Sequence, residues 1–136
     1  MTDERRPVES LIRAEATPDD AAVVVRGGPI AAEKIVEHAQ RQRALFTHQG
    51  QPMIAIGVYV EVADWSLDRI LRELMRSRSR YATAAVGRLR NAGYDLVPTG
   101  RIPHYSLLLP SASHEAATAL LAQFGPTLEN PHRTRR

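Results

Sequence analysis

The stretch RILRELMRSRSRYATAAVGRLRNAGYDLVPTGRIPHYSLLL, residues 69–109, decides how this chain is read. Leu67, Ile70, Leu71, Leu74 and Met75 recur at the spacing of a helix with one buried face. Ser66 is a residue type that caps helix N-termini, and Asp68 suits a first turn where the helix dipole favours negative charge. The polar run Arg76-Ser77-Arg78-Ser79 interrupts that pattern as a turn. A second helix is expected over residues 80–91, with Tyr81, Ala85, Leu89 and Ala92 on one face. Gly93 stands where a left-handed residue closes a helix. Residues 94–98 and 104–109 read as two short strands joined by Thr99-Gly100-Arg101-Ile102-Pro103, a hairpin with a loose tip. The stretch holds eight arginines against two acids.

Upstream, residues 1–20 are polar and end in the turn signal Thr17-Pro18-Asp19-Asp20, which predicts an arm with at most a short helix near Ser10. Ala21 to Arg26 (AAVVVR) is a short β-branched run closed by Gly27-Gly28, the pattern of a buried strand. Pro29 suits a first helical position, and residues 30–46 follow as a helix with Ala31, Ile35, Ala39 and Phe46 near one face. Gln49-Gly50-Gln51-Pro52 ends it. MIAIGVYVEV, residues 53–62, is the clearest strand, and its Gly57 marks a bulge or a close backbone approach. Downstream, residues 111–124 form a last helix with Ala117, Leu120, Leu121 and Phe124 inward, stopped by Gly125-Pro126. The closing residues NPHRTRR are basic and expected to be disordered.

The expected order is β-α-β-α-α-β-β-α. Helices and strands do not alternate strictly, which favours an α+β fold over a doubly wound parallel sheet. The expected organisation is an N-terminal arm over residues 1–20, a single compact α+β domain over residues 21–125, and a basic tail over residues 126–136. At 136 residues the chain is long enough for one core, and with aromatics at 5% that core must be aliphatic.

Composition excludes some chemistry. Without cysteine there are no disulfides, thiolate nucleophiles or Cys-based zinc sites. The five histidines show no i,i+4 pair and no metal motif, so no metal and no cofactor is expected. The first residues lack an apolar signal segment and no run approaches the ~20 residues of a membrane span, so a cytoplasmic protein is expected. Of 18 lysines and arginines only Lys34 is lysine. Arginine is the better bidentate partner for phosphates, although GC-rich codon usage produces the same bias.

Helix, serine/arginine turn, helix and hairpin in that order resemble winged-helix proteins over residues 66–109. The resemblance implies a second helix in the major groove and a hairpin wing on the DNA backbone. Arg78, Ser79 and Arg80 would then start that helix, with Thr83, Ala84, Gly87, Arg88 and Arg90 on its exposed face and Arg101 at the wing tip. The preceding strand-helix-strand replaces the usual first helix of that fold.

Two smaller features point elsewhere. Arg26-Gly27-Gly28-Pro29 puts a guanidinium beside a helix start, a place that suits an anion. An arginine ending the first strand is similar to ADP-ribosyltransferase domains, but the Ser/Thr-centred strand and late-strand glutamate of that family are missing. His104-Tyr105-Ser106 resembles half of the paired His-x-Ser/Thr signature of two-histidine phosphoesterases. Neither His38 nor His48 begins a second copy, and a hydrogen-bonded strand-end histidine is the plainer reading of His104.

Three functions stay open. The first is a non-catalytic nucleic-acid-binding module, contacting DNA or RNA through Arg76, Arg78, Arg80, Arg88, Arg90 and Arg101. The second is a small enzyme directed at a nucleotide or phosphate ester, a toxin among the options, with Arg26 and His104 at its site. The third is a subunit that meets a protein partner.

Overall fold

A computed structural model of the chain describes residues 4–27 and 32–134. The expected helix start at Pro29, with Gly28, Ile30 and Ala31, lies outside the described residues, as does the side chain of Arg26.

The described residues form a single α+β domain around an antiparallel sheet, as the mixed order of elements implied. The sheet is built from β2 (Ala22–Gly27), β5 (Ala55–Val60), β6 (Arg80–Ala85), β7 (Leu96–Pro98), β8 (His104–Leu108) and β9 (Leu128–Glu129), in the order β7-β8-β5-β2-β6-β9. A smaller sheet joins β1 (Arg6–Pro7), β3 (Phe46–His48) and β4 (Gln51–Pro52). The helices are α1 (Ala32–Leu45), α2 (Leu67–Glu73), α3 (Val86–Asn91) and α4 (His114–Leu121), with a 3₁₀ turn at Val8–Leu11. None of the helices among the described residues is long and apolar enough to cross a membrane.

Paired residues in an antiparallel ladder share a face, so the register sorts the core. Val23 opposes Val60 and Ala84, while Val58 opposes Tyr105 and Ile56 opposes Leu107. That face is covered by Ile35 and Ala39 of α1, Leu89 of α3, and Ala117 and Leu120 of α4. The other face carries Val24 and Tyr81 and is covered by Ile70 and Leu71 of α2, with Met75 just beyond it. A third cluster of Val8, Met53 and Ala55 closes the same side nearer the small sheet. Burying a side chain such as Leu89 or Leu120 stabilises by roughly 1.5–3 kcal/mol, so this aliphatic core suffices without many aromatics.

Strands β1, β3, β4 and β9 were not expected, and one further departure bears on the functional reading. Residues 80–85 are strand rather than the first half of a helix, and only Val86–Asn91 is helical. Alanine favours helix, but here Ala82 and Ala84 pair with Val25 and Val23 in a buried ladder that outweighs propensity. The helix-turn-helix is therefore replaced by helix-turn-strand-helix, and the winged-helix docking mode loses its recognition helix. The local ends behave as read. Ser66 accepts a hydrogen bond from the Arg69 amide at 3.1 Å, and Gly93 closes α3 with φ +93°. The hairpin forms as β7 and β8.

Both ends of the described chain are docked. Ile12 bridges Thr99 and the Arg13 amide donates to Pro98 O at 2.8 Å, covering the β7 edge. The Arg13 guanidinium bonds Glu15 and the carbonyls of Thr99 and Gly100, and lies 5.4 Å over the Tyr105 ring. At the other end β9 pairs with β6, and Asn130 is buried with 5% exposure. The basic tail is thus ordered through residue 134, not disordered as its composition suggested.

Candidate functional site

Ion pairs within the chain answer some of the arginines and leave others exposed. Arg69 bonds Glu73 and Asp64 while stacking 3.8 Å over Trp65, and Arg72 bonds Asp68. Arg90, one of the expected nucleic-acid contacts, turns instead to Asp19 at 2.7 Å and to the Thr17 carbonyl at 3.0 Å. These charges are answered within the fold. Arg76, Arg78, Arg80 and Arg133 are exposed and make no ion pair among the described residues.

The fold brings those four together from two distant parts of the chain. The turn between α2 and β6 carries the first three. The tail returns to it, with the Asn130 amide donating to Ser79 O and the Thr134 amide to Arg76 O, each at 2.8 Å. The Asn130 side chain pins this return, because its Nδ2 donates to Met75 O at 2.8 Å and to Arg78 O at 3.2 Å. The acids at this edge are few. Glu129 stands opposite Arg80 in the ladder, and Asp68 is shared by Arg72 and His132. The His132 hydrogen bond holds the Asp68 carboxyl below its usual range.

Arg88 and Arg101 are not part of this edge. Arg88 follows the far end of β6, about 20 Å from Arg80 at ~3.3 Å per strand residue. Arg101 sits at the β7–β8 tip, beside the end where the Val60 amide donates to Pro103 O. Of the six arginines expected to act together, the structure gathers Arg76, Arg78 and Arg80 and adds Arg133.

A second constellation surrounds Gly57. The Glu61 amide donates to Ala22 O, so Gly57, an even number of residues earlier, also points its N–H toward β2. The β2–β5 ladder stops after Val24–Tyr59, however, and the Gly57 N–H goes to His38 Nε2 at 3.2 Å. A histidine of α1 thus stands where a β2 carbonyl would be, and the sheet opens a notch. His104, at the start of β8, leans over the same glycine. A Cβ on Gly57 would lie 2.8 Å from His104 Nε2 and 3.6 Å from His38 Nε2. This is the close backbone approach that a glycine in a strand signals.

Hydrogen bonds fix the His104 tautomer. Its Nδ1 lies 3.0 Å from Thr99 O, an acceptor only, so Nδ1 carries the proton and Nε2 the lone pair. Thr99 Oγ1, 3.2 Å from the same nitrogen, is held by Ser106 Oγ at 2.8 Å. The Tyr59 ring meets the imidazole edge-on at 6.2 Å between centroids. Burial, opposed by the Thr99 carbonyl and helped by Arg13, holds His104 below the ordinary imidazole range and so neutral near pH 7. Among the described residues His104 Nε2 makes no hydrogen bond, so its lone pair is uncommitted there. Such a nitrogen can accept a proton.

Arg26 falls beside this notch by register, paired with Tyr81 on the strand next to β5. His38 was missed because nothing in its own neighbourhood marks it. Gly57 was the one available signal. No family model, curated protein or solved structure matches the chain.

Proposed function

We propose that this is a nucleic-acid-binding protein that grips the phosphate backbone with Arg76, Arg78, Arg80 and Arg133, without a recognition helix. The observation that carries the reading is the sorting of charge. Arg69, Arg72 and Arg90 pair with carboxylates of the chain, whereas these four are exposed, make no ion pair among the described residues, and are gathered at one edge by the returning tail. A cluster of guanidinium groups that outnumber the carboxylates beside them favours polyanions, because each phosphate neutralised releases condensed counterions. Arginine strengthens the case through its bidentate fit to phosphate oxygens. Strand β6 and the turn before it supply a rigid edge. Binding through such contacts reads charge and spacing, with little base specificity.

The test is fluorescence anisotropy with labelled single-stranded and duplex RNA and DNA across salt. Four phosphate contacts predict a slope of log affinity against log salt of about −2.8 for single strands to −3.6 for duplex. Between 50 and 200 mM salt that is a loss of about 50- to 150-fold. The triple variant Arg76→Ala/Arg78→Ala/Arg80→Ala should flatten the slope by about 2 to 3, while Arg88→Ala should leave it within about one of the starting value. A triple variant that binds with unchanged affinity and slope would refute the assignment.

A further inference from the structure

The notch at Gly57 is costly for a strand in the middle of a sheet. Glycine weakens strands, the ladder gives up a backbone hydrogen bond, and an imidazole from another element fills the opening. Places where local rules are broken in this way, with other elements compensating, are where function concentrates. The notch holds His104 Nε2, which makes no hydrogen bond among the described residues, while Nδ1 of the same ring is committed to Thr99 O. Two strand spacings, about 10 Å, separate β5 from β6, where the unpaired arginine edge begins. Arg26 lies in the strand between them.

The geometry points to a catalytic site for RNA cleavage, in which His104 Nε2 is the general base for the ribose 2′-hydroxyl beside a phosphodiester. The 2′-hydroxyl gives its proton to Nε2 as O2′ attacks phosphorus. The O2′–P bond forms, the P–O5′ bond breaks, and the departing 5′-oxygen takes a proton from water. The products are a 2′,3′-cyclic phosphate and a 5′-hydroxyl, and His104 returns its proton to solvent. A base with an open lone pair needs a substrate that carries its own nucleophile, and RNA supplies one on every residue where DNA does not. His38 is a positioning residue here, since its Nε2 is occupied by the Gly57 N–H and holds the notch open. Tyr59 limits rotation of the His104 ring. The arginine edge would hold the adjoining phosphates of a long substrate, so for long RNA the inference rests on the binding reading above.

The experiment uses the full chain with a fluorescein-labelled 20-nucleotide RNA, the same sequence with 2′-O-methyl sugars, and a dinucleoside monophosphate. The expected result is cleavage of the RNA and of the dinucleotide, with 2′,3′-cyclic ends identified by mass spectrometry, and no cleavage of the methylated strand. His104→Gln should lower the rate at least 100-fold, in line with loss of a general base, with RNA binding unchanged. Gly57→Ala should also lose cleavage, because its Cβ would meet Nε2 at 2.8 Å and displace the ring. Dinucleotide cleavage without salt-sensitive RNA binding would sink only the binding reading. Salt-sensitive binding without cleavage, or cleavage that persists equally in His104→Gln, overturns the present one. Should His104→Gln fail to fold, the methylated strand still decides, because its cleavage would exclude the 2′-hydroxyl as nucleophile.

Discussion

Replacing Asn130 by alanine should detach the tail and destabilise the whole domain. The side chain is 5% exposed and donates through Nδ2 to Met75 O at 2.8 Å, Arg78 O at 3.2 Å and, more weakly, Leu71 O at 3.4 Å. Its Oδ1 accepts from the His132 amide at 2.9 Å. Two good donor contacts and one acceptor contact, at ~1 kcal/mol net each, set a ceiling of about 3 kcal/mol. Water reaching the freed carbonyls recovers part of this, and Met75 O keeps its bond from the Arg78 amide. A loss of about 2–3 kcal/mol remains, which for a chain of this size lowers Tm by roughly 10 °C. Asn130→Asp keeps the volume and the His132 contact but turns both donors into an acceptor facing carbonyls, so it should cost at least as much. Thermal unfolding followed by circular dichroism measures both. A shift under about 2 °C in either variant would refute the claim that this amide anchors the tail. The same variants should reduce the salt slope of RNA binding by about one, because Arg133 leaves the edge.

Two further outcomes follow from buried polar groups. Tyr105 is fully buried, and its hydroxyl shares a hydrogen bond with Thr17 Oγ1 on the docked N-terminal segment. Tyr105→Phe should cost about 1 kcal/mol in urea unfolding, and a double-mutant cycle with Thr17→Val should recover most of it as coupling; a cycle near zero would deny the bond. For His104, burial lowers the folded-state value below the ordinary 6.5. Arg13, His38 and Tyr59 are the neighbours on the other elements packed against it. Above 6.5 the ring is neutral whether folded or unfolded, so it adds no pH dependence. As pH falls through 6.5 the unfolded chain takes the proton first, and stability falls until the folded value is passed. The difference in Tm between wild type and His104→Gln should therefore shift against wild type as pH is lowered; a pH-independent difference would contradict the burial assigned to this ring.

The elements that were legible in the sequence are those whose periodicity and punctuation agree. The β-branched strands around Val24 and Val58, the Ser66 cap, the helix face of Ile70 and Leu71, and the hairpin after Gly93 all belong to this class. Residues 80–85 were not legible because Tyr81, Ala85, Leu89 and Ala92 also satisfy a helical spacing. Only pairing with β2 and β9, in which Arg80 meets Gly27 and Glu129, 53 and 49 residues away in sequence, decides for strand. The tail illustrates the opposite failure. A short basic segment cannot build a core, so composition reads it as disordered, yet Asn130 finds carbonyls at the end of α2 that no local pattern discloses.

The candidate site was half legible for the same reason. His104 and Arg26 could be singled out by their positions at strand ends, and Gly57 by its place inside a strand. What joins them is register, which sets Gly57 opposite Ser106, and a break in the neighbouring ladder that admits His38 from α1. The arginines obey the same logic. Their number reflects composition, whereas their use depends on which carboxylates the fold delivers to them. Asp19 reaches Arg90 from the N-terminal segment, while Asp64 reaches Arg69 from the loop before α2 and Glu73 from the end of the same helix. Among the described residues no carboxylate pairs with Arg76, Arg78 or Arg133. The edge begins at Arg80, opposite Gly27 at the end of β2, and the Gly57 notch lies across β2 near the same end, so it is the register of one strand that brings the two within two strand spacings of each other.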